Sequence, residues 1–225
     1  MLLCHRHGFL FIHVAKTGGT SIRAALRREC WHPYQAIRWL CGRLSGLTGH
    51  RLGVKLPRHA KTIAAREMLP RDLFDALFKF AFVRNPWDLQ VSSYHHVRRE
   101  RPHLLRNVRD FPSFVRWKLD PDRPYHYIAD ASVEPQIDHL RDLSGRILVD
   151  FVGRYERLQE DFDFVCGRVG IRQRKLPHER RSRQRRDYRE YYDDATAQRI
   201  ADHFAEDIAA FGYRFDAGVM RRCPD

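Results

Sequence analysis

The feature that most constrains this chain is an apolar stretch near its N-terminus that runs straight into a glycine turn. Residues 9–14 are aromatic and β-branched, as in a buried strand, and Lys16-Thr17-Gly18-Gly19-Thr20-Ser21 follows them. Apolar residues then recur at helical spacing from Ile22 to Leu26, which predicts a helix capped by Thr20 or Ser21. The chain therefore opens with a strand, a glycine loop and a helix.

This loop has the chemistry of an anion site. Backbone N–H groups at the start of a helix point outward, and the helix dipole favours negative charge there. The two glycines let the backbone approach a ligand closely, Thr17, Thr20 and Ser21 add hydroxyl donors, and Lys16 adds positive charge. The loop departs from the Walker A pattern because its lysine precedes the glycines, which argues against an ATPase or nucleotide kinase. The alternative is a glycine turn with an exposed lysine.

A second candidate anion site follows a later apolar stretch. Residues 80–83 predict a buried strand, Arg84 follows it, and a helix is predicted over 87–101. Open α/β sheets bind ligands at the carboxyl ends of their strands, where Arg84 would lie. Ser92 is about two helical turns further on, so a guanidinium and a hydroxyl would converge on a separate phosphate. The alternative for Arg84 is a surface salt bridge.

The rest of the chain continues the alternation of helices and strands. A third strand is predicted over residues 147–155, and further helices over 62–78 with a break at Pro70, 111–118, 158–169 and 195–211. This alternation predicts the α/β class, with a mainly parallel sheet flanked by helices and a single domain over residues 1–225.

Charge and cysteine content narrow the class of protein. Lys and Arg number 41 against 28 Asp and Glu, a formal net charge of +13, which indicates a polyanionic partner such as nucleic acid, an anionic membrane, a nucleotide or an acidic polysaccharide. No nucleic-acid-binding motif accompanies the charge, and no apolar run approaches the roughly 18 residues of a membrane span. The five cysteines form no CxxC pair, which is typical of reduced thiols. We therefore expect a cytoplasmic protein without a transmembrane segment or a nucleic-acid partner.

Taken together, the KTGGTS loop and the FVRNPWD segment with its later serine resemble the two donor-binding motifs of the sulfotransferases. The FVGRYERL segment at 151–158 and residues 191–213 resemble later blocks of that family, so the resemblance covers about residues 9 to 215. It is strongest with the carbohydrate-type branch and its soluble bacterial relatives. It implies a single P-loop-like domain that uses 3′-phosphoadenosine 5′-phosphosulfate (PAPS), without a metal, and releases adenosine 3′,5′-bisphosphate. The implied acceptor is a hydroxyl of a carbohydrate or similar molecule.

The resemblance also implies residue roles in donor binding. The loop from Lys16 to Ser21 would hold the 5′-phosphosulfate, and Arg84 with Ser92 would hold the 3′-phosphate. Tyr155 and Arg154 are further candidates for the pocket wall. Residues 172–189 are basic, and because a basic loop in this region of sulfotransferases often closes over the donor, we expect Arg181, Ser182 and Arg183 to contact it. The alternatives are a solvated charge run and a nucleic-acid-binding patch.

Transfer of a sulfuryl group to a hydroxyl needs a base for the acceptor proton, positive charge at the leaving group and in-line positioning. Lys16 suits the second task. His59 is the predicted base, because it lies in a loop at the same sheet edge as Lys16 and its HAKT segment resembles a short motif of similar enzymes. The other candidates are His95, His96 and, more distantly, Glu67.

Two other functions stay open from the sequence. An ATP-dependent small-molecule kinase on a related fold would show Mg²⁺-dependent ATP hydrolysis, and a non-enzymatic polyanion-binding protein would show salt-sensitive binding to DNA or heparin. Residues 125–136 are the predicted acceptor wall. Neither the acceptor nor the oligomeric state follows from the sequence.

Overall fold

The fold is built on a four-stranded sheet. A computed structural model describes residues 1–30, 56–177 and 186–216. Its strands lie in the order β1 (Leu2–Cys4), β2 (Phe9–Ile12), β3 (Phe78–Val83) and β4 (Phe151–Arg154). The pairs β2–β3 and β3–β4 are parallel, and β1 is antiparallel to β2. The predicted α/β class with a mainly parallel sheet is therefore confirmed.

Helices follow each parallel strand. In chain order they are α1 (Gly19–Arg27), α2 (Thr62–Met68), α3 (Arg71–Ala76), α4 (Pro86–Glu100), α5 (Phe111–Lys118), α6 (Tyr127–Asp130), α7 (Leu158–Arg168), α8 (Asp194–His203) and α9 (Ala205–Phe211). None of these described helices is long and apolar enough to cross a lipid bilayer. Because α1, α4 and α7 start just beyond β2, β3 and β4, their N-termini meet at one edge of the sheet.

Both faces of the sheet are covered, which fixes the strands that carry the site. Phe9 and Phe11 of β2 pack with Phe80 and Phe82 of β3 on one face, together with apolar side chains of α1 and α7. Leu10, Ile12, Ala81 and Val83 pack on the other face, together with apolar side chains of α4 and α5. All residues of β2 are buried, as expected for a central parallel strand. The loops at the strand ends are thus held by a rigid support.

The first helix begins earlier than its sequence indicates. Gly18, not Thr20 or Ser21, is the N-cap residue, with a φ of 82° in the left-handed region. A left-handed glycine reverses the chain so tightly that the helix starts at the next residue. The hydroxyl residues consequently lie in the first turn of α1 rather than at its cap.

The last strand and the last helix are also shorter than predicted. Only Phe151–Arg154 joins the sheet, because Ile147 and Leu148 pair instead with Arg141 and Leu140 of the preceding segment. The predicted C-terminal helix is two helices separated at Phe204. The sequence does not predict the antiparallel strand β1, because its three residues are too few to show an alternation of apolar and polar side chains.

Candidate active site

The first part of the site is the loop between β2 and α1. Lys16 has a φ of 65° and is the one non-glycine residue with positive φ in the described ranges. Such a conformation costs on the order of 1 kcal/mol or more and needs support from its surroundings. Arg84 gives that support, because its Nη1 donates to the carbonyl oxygen of Lys16 at 3.0 Å. The N-cap Gly18 brings no side chain of its own to the first N–H groups of α1, which suits an anion there.

The walls of the loop leave no room for side chains at its two glycines. A Cβ on Gly19 would lie 2.2 Å from ring atoms of His13, and a Cβ on Gly18 would lie 2.8 Å from Leu158. The glycines therefore serve close packing as well as the backbone turn.

The three hydroxyl residues of the loop differ in what they face. Thr17 is fully buried, and its Oγ1 donates to the carbonyl oxygen of Val14 at 3.0 Å. Thr20 and Ser21 line the cleft, whereas Thr17 does not. The structure thus brings two of the three predicted hydroxyl donors to the cleft, and the third closes the turn.

The second part of the site is Arg84, at the end of β3. It is 3% exposed, so its salt bridge with Asp88 is largely buried rather than on the surface. Its Nε donates to Asp88 Oδ2 at 2.6 Å, and its guanidinium lies 3.8 Å from the ring centre of Tyr155. Gln136 accepts from the backbone N–H of Arg84 and donates to its carbonyl oxygen. Burial lowers the pKa of Arg84, and this shift is opposed first by Tyr155 and then by Glu156.

Both parts line one cleft of about 1010 Å³. That volume is at the upper end for small-molecule sites. The predicted site residues on its wall are Lys16, Gly18, Gly19, Thr20, Ser21, His59, Arg84, Ser92 and Tyr155. Since Arg84 also donates to the Lys16 carbonyl, the two candidate anion sites are in direct contact.

The basic stretch reaches the cleft where the structure describes it. Residues 173–177 form part of the wall, and the side chain of Gln159 holds them. Gln159 Nε2 donates to the carbonyl oxygen of Arg174 at 3.0 Å, and its Oε1 accepts from the N–H of Leu176 at 2.9 Å. Arg181, Ser182 and Arg183 lie outside the described residues.

His59 lies in the cleft in a defined orientation. Its Nδ1 is 2.9 Å from the carbonyl oxygen of His13. A carbonyl only accepts, so the neutral ring carries its proton on Nδ1 and its lone pair on Nε2. Burial lowers the pKa of His59 from 6.5 to about 4, and the bond to the His13 carbonyl partly opposes this. The ring is therefore neutral at neutral pH.

His13 is a residue of the site that sequence reasoning missed. It is buried against Gly19, its ring centre is 4.5 Å from that of His59, and its Nδ1 has no hydrogen-bond partner in the described ranges. Burial lowers the pKa of His13 to about 2, and the positive charge that His59 carries once it is protonated adds to this. The sequence feature that could have pointed to His13 is its position as a polar residue within the apolar stretch 9–14.

The remaining candidates separate into those on the cleft and those away from it. His96 lines the cleft, as do Tyr127, Ile128, Ala131 and Ser132 of the predicted acceptor wall. His95 lies outside it, with Nε2 2.9 Å from the Tyr191 hydroxyl. Glu67 is exposed beside Arg66, and Arg154 donates to the carbonyl oxygen of Phe211, so neither lines the cleft.

Glu156 is a second missed residue on the cleft wall. Its Oε1 accepts from the N–H of Asn85 at 2.7 Å, and its Oε2 lies 3.3 Å from the Tyr213 hydroxyl. The carboxylate thereby ties the residue after Arg84 to the chain beyond β4. Nothing in the sequence around Glu156 indicates these contacts with Asn85 and Tyr213.

Comparison with known proteins identifies the family of the chain. The model of the sulfotransferase family matches residues 1–214. An uncharacterized protein of Archaeoglobus fulgidus is 33% identical over 107 residues, which cover 47% of this chain and 78% of that protein. Carbohydrate sulfotransferase 14 of Danio rerio is 23% identical over 193 residues, which cover 77% of this chain and 49%, about half, of that protein. No solved structure matches the chain.

Proposed function

The chain belongs to the sulfotransferase family, and from that premise we propose that it transfers a sulfuryl group from PAPS to a hydroxyl of a carbohydrate or similar acceptor. One observation carries the proposal. Arg84 contacts the Lys16 carbonyl, so two anion sites form one cleft. A doubly phosphorylated adenosine has anionic groups at two separate positions and is the ligand that such a pair suits. We take residues 1–225 as one sulfotransferase domain.

The proposed donor contacts come from both parts of the cleft. The loop from Lys16 to Ser21 binds the 5′-phosphosulfate through its backbone N–H groups, the Thr20 and Ser21 hydroxyls and the Lys16 ammonium. Arg84 and Ser92 bind the 3′-phosphate, and Tyr155 supports the Arg84 guanidinium by stacking on it. Arg181 and Ser182 are proposed to close over the donor. When bound, the donor supplies the sulfuryl group and a bisphosphate leaving group.

We propose that His59 is the base. The His13 carbonyl holds the proton of His59 on Nδ1, which leaves Nε2 to accept the proton of the acceptor hydroxyl. The lowered pKa keeps the ring neutral and therefore competent above about pH 4. Lys16 stabilises the negative charge that develops on the leaving phosphate. No metal is needed in this scheme, because the ammonium and the loop N–H groups supply the positive charge.

The test uses radiolabelled donor with a panel of hydroxyl acceptors, and calorimetry with adenosine 3′,5′-bisphosphate. His59→Ala is expected to bind the bisphosphate like the wild type and to turn over about 1,000-fold more slowly, the loss typical of a missing general base. His103→Ala, on an exposed 3₁₀ turn, is the matched control and should keep full activity. Normal turnover in His59→Ala with loss in His96→Ala would assign the base to His96. A wild-type protein that does not bind the bisphosphate would refute the donor.

A further inference from the structure

A buried histidine on the cleft wall has a ring that plays no part in the scheme above. His13, directly after β2, is 4% exposed, and its ring stacks on Phe11 with the ring centres 5.7 Å apart. In the described ranges, the histidines with an enclosed ring nitrogen that lacks a partner are His7, His13, His126 and His139. Of these, only His13 lines the cleft. An enclosed polar atom without a partner is unfavourable, so its place on the cleft wall calls for an explanation.

The two ring nitrogens of His13 have different surroundings. Nδ1 is enclosed and has no partner. Nε2 also has no partner within the part of the chain that the structure describes, but it is not enclosed, so it is the nitrogen that opens to the cleft. Nε2 lies on the ring edge that faces Gly19, because a Cβ on that glycine would be 2.2 Å from it. Since Gly19 is the first residue of α1, Nε2 lies beside the N-terminus of that helix.

The ring of His13 is neutral, and an anion at this helix end decides where its one proton lies. Burial lowers the pKa of His13 to about 2, and the positive charges of Arg23 and Arg58 add to this. A neutral imidazole has one N–H group and one lone pair. An oxyanion only accepts hydrogen bonds, so a complex with an anion at the start of α1 needs the N–H group on Nε2. The lone pair then lies on the enclosed Nδ1.

His59, the proposed base, has the opposite arrangement in the neighbouring ring. The carbonyl oxygen of His13 holds the proton of His59 on Nδ1, and the two ring centres are 4.5 Å apart. The two rings therefore offer different groups to the cleft, a hydrogen-bond donor from His13 and a proton acceptor from His59. In-line transfer places a sulfuryl group between a leaving phosphate and an acceptor hydroxyl, and these two groups suit the two sides of such an arrangement.

We propose that His13 is a further catalytic residue, whose Nε2–H donates a hydrogen bond to an oxygen of the 5′-phosphosulfate bound at the start of α1. This inference rests on the proposed function. A neutral donor that is fixed in an enclosed site stabilises an oxyanion without adding a charge of its own. The proton of the acceptor hydroxyl still goes to His59, and His13 keeps its own. Because the ring is packed against Phe11 and Gly19, its position is set before the ligand binds.

A matched pair of variants at this position tests the proposal. The amide nitrogen of glutamine is at the ε position, like Nε2 of histidine, whereas that of asparagine is at the δ position. His13→Gln is therefore expected to stay within about threefold of the wild type in affinity for adenosine 3′,5′-bisphosphate and in kcat. His13→Asn should lose about 10-fold in that affinity if the bonded oxygen belongs to the 5′-phosphate, or about 100-fold in kcat if it belongs to the sulfuryl group.

His7→Asn is the control, because His7 also has an enclosed ring nitrogen without a partner in the described ranges but does not line the cleft. It should leave the affinity and kcat unchanged. Urea unfolding of all three variants shows that each is folded under the conditions of the binding and kinetic measurements. Equal losses in His13→Gln and His13→Asn, or no loss in His13→Asn, would overturn this inference while wild-type binding stays intact.

Nitrogen NMR of the wild type adds a measurement that a purely structural role would not change. With labelled imidazole nitrogens, the protein saturated with the bisphosphate and inorganic sulfate is expected to have the His13 proton on Nε2. A proton on Nδ1 in that complex would overturn the inference, and this measurement decides if His13→Asn does not fold. A wild-type protein that does not bind the bisphosphate would instead overturn the proposed function.

Discussion

The two candidate anion sites lie side by side on one cleft and are built in opposite ways. The loop from Lys16 to Ser21 is a backbone structure, whose shape depends on two positions without side chains. Arg84 is a single side chain held by Asp88, Tyr155 and the Lys16 carbonyl. We therefore expect the stability of the loop to fall when an atom is added at either glycine. Binding at Arg84 should instead depend on the shape of its guanidinium. Each site has one basic side chain, Lys16 or Arg84, so charge alone does not distinguish the two sites.

The largest effect is expected from Arg84→Lys, which keeps the charge and removes the planar fork. The ammonium cannot reach Asp88 and the Lys16 carbonyl together or stack on Tyr155 in the same way. Affinity for adenosine 3′,5′-bisphosphate should fall about 100-fold, equal to about 3 kcal/mol of lost charge-assisted bonds. Calorimetry measures it. Arg98→Lys, at an exposed position in α4, is the control. A loss below threefold in Arg84→Lys would contradict the comparison.

The loop is probed next by adding one methyl group. Gly19→Ala places a Cβ 2.2 Å from the His13 ring, so the free energy of unfolding should fall by about 2 kcal/mol. Gly167→Ala is the matched control, because it is helical with nothing within 4 Å and should gain up to about 1 kcal/mol. Urea unfolding of both variants gives the values. A Gly19→Ala protein as stable as wild type would show that the loop is not backbone-limited.

His13, which supports the loop, predicts a pH dependence of stability. Its pKa is about 2 in the fold against 6.5 for the ordinary group, so below pH 6.5 the unfolded chain binds a proton that the folded chain does not. The unfolding free energy must then fall as pH falls, by up to about 1.4 kcal/mol per pH unit for this one group. His13→Gln should flatten the slope between pH 6 and pH 4.5, roughly the upper part of that window. His5→Gln, at an exposed position, is the control, and an unchanged slope in His13→Gln would contradict the assignment.

The smallest effects should separate the two loop threonines. Thr17→Val loses the bond to the Val14 carbonyl and should lower the unfolding free energy by about 1 kcal/mol without weakening bisphosphate binding. Thr20→Val should keep its stability and lose about threefold to tenfold in affinity, since Thr20 lines the cleft. Thermal unfolding and calorimetry on the same samples give both numbers. The reverse pattern would mean that the two hydroxyls have been assigned the wrong way round.

Local sequence was enough to place the glycine loop, Arg84 and Ser92, because each lies at a junction between a strand and a helix. It was not enough for residues whose roles come from distant contacts. The position of the proton on His59 Nδ1 depends on the carbonyl of His13, 46 positions away. Glu156 likewise acts on the N–H of Asn85, 71 positions away. Thr17 shows the same limit. Its hydroxyl is a donor, as predicted, but it donates to the Val14 carbonyl and not into the cleft. Side-chain direction and burial are set by packing, which periodicity does not encode.

The most direct test compares adenosine 3′,5′-bisphosphate with adenosine 5′-monophosphate by calorimetry, on the wild type and on Arg84→Ala. If the loop binds the 5′-phosphate and Arg84 binds the 3′-phosphate of one nucleotide, the wild type should bind the bisphosphate at least about 100-fold more tightly than the monophosphate. In Arg84→Ala that preference should shrink to a few-fold. Equal affinity of the wild type for the two nucleotides would contradict the central claim, as would an undiminished preference in the variant.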